Sequence, residues 1–318
     1  MTGIIIGGGA VAQEETFTMN EVQYNILKQK KEKNILILAH YYQPPEVQDI
    51  ADHVCDSFEM ARLASTAKQN IIIICGVHFM AESAKILNPG KTVLLPADSA
   101  GCPMADMIKP EDVIALRGKH PGAAVVCYVN SSAAVKAVSD ICCTSSSAEK
   151  IVRSLTEEKI IFVPDRNLGA FISSKVPEKE FIFHDGWCPV HDIVSENDVF
   201  KAKEAHHGAK LLVHPECRGE VLKHADFIGS TAGMIKEALN LSDNTYIIGT
   251  ENGVIDHLQK LAPEKRFYPL KSDFICRDMK KIGLPDVLRS METGTHEIKM
   301  SPADIEAAES PLRRMINI

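Results

Sequence analysis

NILILAHYYQ, residues 34–43, is an apolar run that ends in a polar cluster, and the same design returns as AAVVCYVNSS at 123–132 and KLLVHPECRG at 210–219. Aligned on His40, Tyr128 and His214, the three runs lie 88 and 86 residues apart. Each reads as a short buried strand whose C-terminal end carries polar side chains. The register holds further along the chain. Ser57, Ser145 and Thr231 repeat at 88 and 86, each ahead of a helical pattern: FEMARLASTAK, SSAEKIVRSL and AGMIKEALN. Apolar runs follow at 71–76, 159–164 and 245–250, then amphipathic stretches such as FMAESAKIL and NGVIDHLQKL. The strand-like pieces TVLLPA, EFIFHD and RFYPL come next, and Cys102, Cys188 and Cys276 stand just beyond them, 86 and 88 apart.

Units of this order and length predict an α/β fold: three pseudo-threefold-related αβα sandwich units with parallel sheets around a central active site. They are expected at 20–105, 106–190 and 191–276, with the flanks 19–33 and 277–318 completing the first. Parallel sheets gather their functional loops at the C-terminal ends of the strands. Those ends carry His40, Tyr42, Tyr128, Asn130, His214 and Glu216.

Composition narrows the class. A chain of 318 residues, 45% hydrophobic and 24% charged, can build two or three domains around a large core. A formal net charge of −7 with no basic block argues against broad nucleic-acid binding. The start, MTGIIIGGGAVAQEET, lacks a basic n-region and is too short to span a membrane, and Gly7, Gly8 and Gly9 read as a flexible leader. Nine cysteines, an odd number without a secretory signal, predict reduced thiols in a cytoplasmic protein. Cys75 and Cys127, inside IIIIC and AAVVC, read as small buried hydrophobes. No CxxC pair occurs, so a metal site has to be assembled from distant parts of the chain.

A single loop cysteine is ordinarily a buried residue with no special role. Three at equivalent positions of a repeat are brought together by its pseudo-symmetry. Three thiolates suit zinc with an open position or a [4Fe–4S] cluster with one iron free, and spacing alone does not choose. For Ser57, Ser145 and Thr231 the ordinary role is helix capping. Helix N-termini converging on one pocket also offer N–H groups to carboxylates or phosphate. The strand-end histidines, tyrosines, Asn130 and Glu216 supply acid–base and hydrogen-bonding groups suited to enolisation, imine formation and dehydration. No Walker loop, GxGxxG fingerprint or Ser-His-Asp order is present.

AHYYQPPEVQDIADHVCDS, GVHFMAESAKILNP, CYVNSSAAVKAVSD, TSSSA, HPEC and GSTAGMIK together resemble the quinolinate synthase family, in matching order from about residue 20 to 280. The resemblance implies three αβα units around one [4Fe–4S] cluster. It implies condensation of iminosuccinate with dihydroxyacetone phosphate to give quinolinate, phosphate and water in NAD biosynthesis. The cluster ligands then fall on Cys102, Cys188 and Cys276, with the iron not ligated by cysteine acting as Lewis acid. Substrate contacts fall on His40, Ser57, Tyr128, Val129, Asn130, Ser145, His214, Pro215, Glu216 and Thr231. Tyr42 matches a tyrosine that assists proton movement, and His191 in GWCPVH falls near the cluster. FICRDM offers only Cys276, where some relatives carry several cysteines. Cys55, Cys142, Cys143 and Cys217 receive no ligand role. The family also implies a functional link to an iminosuccinate-producing enzyme. Two other classes remain open at this point: a zinc-dependent aldolase or dehydratase on the same cysteines, and an iron–sulfur sensor or carrier without activity.

Overall fold

The computed structural model describes residues 21–318, so the leader reading at Gly7–Gly9 lies outside the described residues. Three four-stranded parallel sheets form the frame. The first contains β1 (Ile35–His40), β2 (His53–Cys55), β3 (Ile71–Cys75) and β4 (Thr92–Leu94). The second contains β5 (Ala124–Tyr128), β6 (Ile141–Cys143), β7 (Lys159–Val163) and β8 (Glu180–Phe183). The third contains β9 (Lys210–Val213), β10 (Phe227–Ile228), β11 (Thr245–Gly249) and β12 (Arg266–Pro269). Their spatial orders are β2-β1-β3-β4, β6-β5-β7-β8 and β10-β9-β11-β12, one topology used three times. Helices flank every sheet, so the fold is the α/β arrangement of three αβα units.

The repeat holds at the level of single hydrogen bonds. His78 N donates to Ala100 O at 2.8 Å, Arg166 N to Gly186 O at 2.8 Å and Asn252 N to Phe274 O at 2.9 Å, equivalent bonds in successive units. Each ties the start of the helix after the third strand to the loop that leads to a cysteine.

The apolar runs are strands because both of their faces are covered. Every residue of β1 and of β5 is buried, as a parallel sheet under helices on both sides requires. One element per unit escaped the periodicity argument: β2, β6 and β10 are two or three residues long, too short to show a period. Each follows a short helix (Pro45–Ile50, Ala133–Ala137 or Gly219–Leu222) and directly precedes the segment bearing Ser57, Ser145 or Thr231.

The flanks pack across units. The helix Glu21–Glu32 lies against Leu284–Thr293, where Lys33 Nζ donates to Met291 O at 2.8 Å. The last helix, Pro302–Ile316, packs on Ala133–Ala137 and β6 of the second unit and on His78–Leu87 of the first. One continuous core therefore spans the first two units, whereas the third keeps separate clusters on the two faces of its sheet. Among the described residues no helix is long and apolar enough to cross a membrane.

Candidate functional site

The C-terminal ends of β1, β5 and β9 meet at one pocket. It is lined by His40 and Tyr42 from the first unit, Tyr128 and Asn130 from the second, and His214 and Glu216 from the third. Ser57, Ser145, Thr231, Cys102, Cys188 and Cys276 line the same pocket. Val129 and Pro215 are buried beside it but do not line it. Cys55, Cys75, Cys127, Cys142, Cys143 and Cys217 are free, buried thiols away from the lining.

A tight turn brings each polar pair together. Gln43 N donates to His40 O and Cys217 N to His214 O, both at 3.0 Å. In the second unit Ser131 Oγ donates to Tyr128 O at 2.9 Å. Strand alternation would place His214 and Glu216 on one side, but β9 ends at Val213. The turn, not the strand, sets their contact: Glu216 N donates to His214 Nδ1 at 3.4 Å, and the carboxylate Oε2 lies 3.8 Å from the same nitrogen.

In the first and third units capping falls to the neighbours of the repeated hydroxyls. Asp56 Oδ1 accepts Glu59 N at 3.0 Å and Ser230 Oγ accepts Gly233 N at 3.1 Å. Ser57 and Thr231 are the first helical residues, and Ser145 lies in the turn before the helix Ala148–Ser154. Their hydroxyls are free for other partners. Thr231 Oγ1 is hydrogen-bonded to Tyr42 OH at 2.8 Å, and Ser145 Oγ to His214 Nε2 at 3.2 Å.

Each pocket cysteine precedes a short helical turn, Ala105–Met107, Pro189–Asp192 or Asp278–Lys280. The backbone N–H groups of Ala105 and Met104 act to lower the Cys102 thiol, that of His191 the Cys188 thiol, and those of Met279 and Asp278 the Cys276 thiol. Such donors favour a thiolate. Burial dominates while the sulfurs carry protons, pushing Cys102 up to about 12 and Cys276 to about 11, with Cys188 driven well above its ordinary value. The charge of each sulfur would be felt by another: Cys276 raises Cys102, and Cys102 raises Cys188. A cation at the centre reverses that cost by deprotonating the thiols. Three convergent sulfurs, each with N–H donors, fit a three-cysteine metal centre.

Two buried carboxylates that the repeat analysis missed hold the cysteine loops. Asp165 accepts Leu168 N at 2.7 Å and Cys188 N at 3.0 Å. Glu251 accepts Gly253 N at 2.7 Å and Cys276 N at 3.2 Å. Lys280 Nζ lies 3.0 Å from Glu251 and also donates to Tyr42 O, tying the third unit to the first. A Cβ at Gly253 would stand 2.6 Å from Lys280 Nζ and 2.8 Å from Glu251 Oε2, so this knot needs glycine there. Asp165 and Glu251 are 86 residues apart, but the first unit has Val77 at that position, which hid the pattern.

The polar floor is electrostatically divided. Burial first, then Lys280, holds His40 at about 3, and burial holds His214 at about 3, so both imidazoles are neutral. Burial would raise the Glu216 carboxyl, but His191, His214 and the Tyr128 hydroxyl outweigh it and keep Glu216 at about 2. Burial and the charge of Glu216 push both the Tyr42 and Tyr128 phenols well up. Glu216 is thus ionised next to phenols that keep their protons. His191 bonds Glu216, with Nδ1 at 2.7 Å from Oε2, and its Nε2 bonds Thr250 Oγ1 at 2.9 Å. Thr250 bonds Tyr42 OH at 2.7 Å. Asn130 Oδ1 is buried at the pocket wall without a hydrogen-bond partner among the described residues, an acceptor open to a ligand N–H or O–H.

Comparison with known proteins gives a consistent result. A family model described as quinolinate synthetase A protein matches residues 24–317. The chain is 48% identical over 300 residues to the quinolinate synthase of Caldicellulosiruptor saccharolyticus, covering 94% of this chain and 99% of that protein. It is 49% identical over 271 residues to that of Clostridium perfringens (strain SM101 / Type A), covering 85% and 90%. Against that of Methanoregula boonei it is 48% identical over 295 residues, covering 93% and 97%.

Proposed function

The chain belongs to the quinolinate synthase family, and from that premise we propose that it condenses iminosuccinate with dihydroxyacetone phosphate to quinolinate, phosphate and water. Cys102, Cys188 and Cys276 would hold one [4Fe–4S] cluster. When bound, that cluster supplies a Lewis-acidic iron with an open position beside the polar floor. What supports the reading most is the convergence of three cysteines and three strand-end polar pairs on one pocket.

The chain's own residues divide the remaining work. Ser57, Ser145, Thr231 and the Tyr128–Asn130 segment bind and orient the substrate carboxylates and phosphate, the hydroxyls donating and Asn130 Oδ1 accepting a substrate N–H or O–H. Glu216, ionised, takes a proton from a substrate carbon or nitrogen during enolisation and condensation. Tyr42 and Tyr128, protonated, donate to leaving oxygen as phosphate and water depart. Neutral His40 and His214 can each accept at one nitrogen while donating at the other. Val129 and Pro215 contribute through the backbone turns that carry their neighbours. Nine free cysteines agree with a reducing, cytoplasmic setting. The three-unit division at 20–105, 106–190 and 191–276, with 277–318 completing the first unit, is part of the same proposal.

The test is an anaerobic assay. Protein purified without oxygen should carry four irons and sulfide per chain and form quinolinate from the two substrates. A metal-loaded, folded protein that forms none would overturn the reading.

A further inference from the structure

His191 stands three residues beyond Cys188, in the short helix Pro189–Asp192. Its Nδ1 lies 3.2 Å from Cys188 Sγ and 2.7 Å from Glu216 Oε2, and the three donor atoms are all within 4.8 Å of one another. All three residues face the pocket. The condensation chemistry uses Cys188 as a cluster ligand and Glu216 as a base. It gives this sulfur–imidazole–carboxylate set no joint role.

From this geometry we propose that, when the cluster is absent, the chain holds a single zinc ion through Cys188 Sγ, His191 Nδ1 and the Glu216 carboxylate. In tetrahedral zinc with bonds of about 2.0–2.3 Å, donors stand roughly 3.4–3.6 Å apart. The His191 nitrogen therefore needs to draw back from its two neighbours by less than about 1 Å. A thiolate, an imidazole and one carboxylate suit zinc and not magnesium or calcium, which prefer all-oxygen shells. The fourth position opens into the pocket, where water completes the shell.

The surroundings of the three donors match those of a built metal site. Thr250 bonds His191 Nε2 at 2.9 Å and so aims Nδ1 at the centre. Asp165 holds the Cys188 loop through its backbone N–H at 3.0 Å. Tyr128 lines the pocket with Glu216, and its hydroxyl helps to hold that carboxylate low. On binding, Cys188 releases its thiol proton to solvent, His191 gives up the Nδ1 proton it shares with Glu216 while Nε2–H faces Thr250 Oγ1, and the zinc takes the place of both protons. Cys188 serves both occupants, so zinc and cluster exclude one another. That exclusion rests on the three-cysteine reading, whereas the zinc site stands on its own donors.

The experiment uses metal-free full chain, prepared anaerobically with reductant and titrated with zinc alone. Wild-type protein should retain a single zinc per chain after desalting, and X-ray absorption should find one sulfur with nitrogen and oxygen neighbours. Cys188→Ser and His191→Ala should lose retention, while Cys102→Ser and Cys276→Ser keep it. A three-sulfur shell, loss of zinc in all three cysteine variants, or no retention by the wild type would overturn the proposal. The wild-type spectrum decides even where a variant fails to fold. Zinc-loaded protein should also fail to form a cluster from iron and sulfide, and cluster formation with zinc still bound would overturn the exclusion. Failure of zinc-free protein to form a cluster would count against the three-cysteine reading and leave the zinc result standing.

Discussion

Asp165 and Glu251 are related by one repeat of 86 residues, and each accepts the backbone N–H of a pocket cysteine, Cys188 at 3.0 Å and Cys276 at 3.2 Å. Both side chains are fully buried. The first unit has Val77 in that place, so the Cys102 loop lacks this hold. The pseudo-threefold frame thus carries an asymmetric centre, with two loops pinned by carboxylates and one not.

Asp165→Ala should therefore destabilise the metal-free protein. It leaves the N–H groups of Leu168 and Cys188 without their acceptor, and each such buried donor costs about 1–3 kcal/mol. Urea unfolding checks this. A midpoint equal to wild type would show that other groups hold the loop.

Cluster loading should fail in Cys102→Ser, Cys188→Ser and Cys276→Ser alike. Iron and sulfide analysis after reconstitution, with the visible absorption of a thiolate-bound cluster, reads the outcome. Cys75→Ala and Cys127→Ala should load normally, because both thiols are buried within β3 and β5 away from the lining. Their losses should be confined to stability. Full loading in any of the first three variants would remove that residue from the ligand set.

Neighbouring hydroxyls at 230 and 231 should separate stability from binding. Ser230 caps its helix through Gly233 N, so Ser230→Ala should cost about 0.5–2 kcal/mol of stability. Thr231 caps nothing and faces the pocket. Thr231→Val should weaken substrate binding by roughly 1.5–3 kcal/mol, about tenfold or more, as expected for one lost hydrogen bond to a charged group. Unchanged KM in Thr231→Val would take its hydroxyl out of substrate binding.

Glu216→Gln should give a folded, cluster-bearing protein with turnover lowered about 10²–10⁴-fold. The amide keeps the size of the side chain but can no longer take a proton. Steady-state turnover alongside iron content distinguishes the cases: near-normal turnover defeats the base role, and lost iron reassigns Glu216 to support of the centre.

Acid should destabilise the protein through His40. The unfolded chain protonates this imidazole near its ordinary 6.5, whereas burial and Lys280 delay protonation in the folded chain to about 3. The contribution of His40 is whole above pH 6.5 and is lost as pH falls through that window toward 3. Unfolding midpoints measured across it should fall with acid, and His40→Gln should flatten the slope. Parallel profiles for variant and wild type would exclude His40 as the source.

Much of this was legible in the chain because repetition multiplies weak signals. One loop cysteine means little, yet three in register point to one centre, and the structure places Cys102, Cys188 and Cys276 on one pocket. What stayed hidden lacked a threefold echo. Val77 interrupts the Asp165–Glu251 pair, and the positions equivalent to Thr250 are Gly76 and Pro164. β10, with two residues, has no period to detect. The His214–Glu216 contact follows a turn that strand alternation could not describe.

The sequence by itself determined the three units, their buried central strands, the family and the residues at the strand ends, because burial and local hydrogen bonding act over a few residues and leave a periodic trace. Only the tertiary structure decided which of those residues touch. Tyr42 meets Thr231 across 189 residues, Ser145 meets His214, and Lys280 joins Glu251 to the backbone of Tyr42. Such contacts depend on how three sheets face one another. That is set by packing between elements far apart in the chain, such as Pro302–Ile316 against the first two units, and no local pattern encodes it.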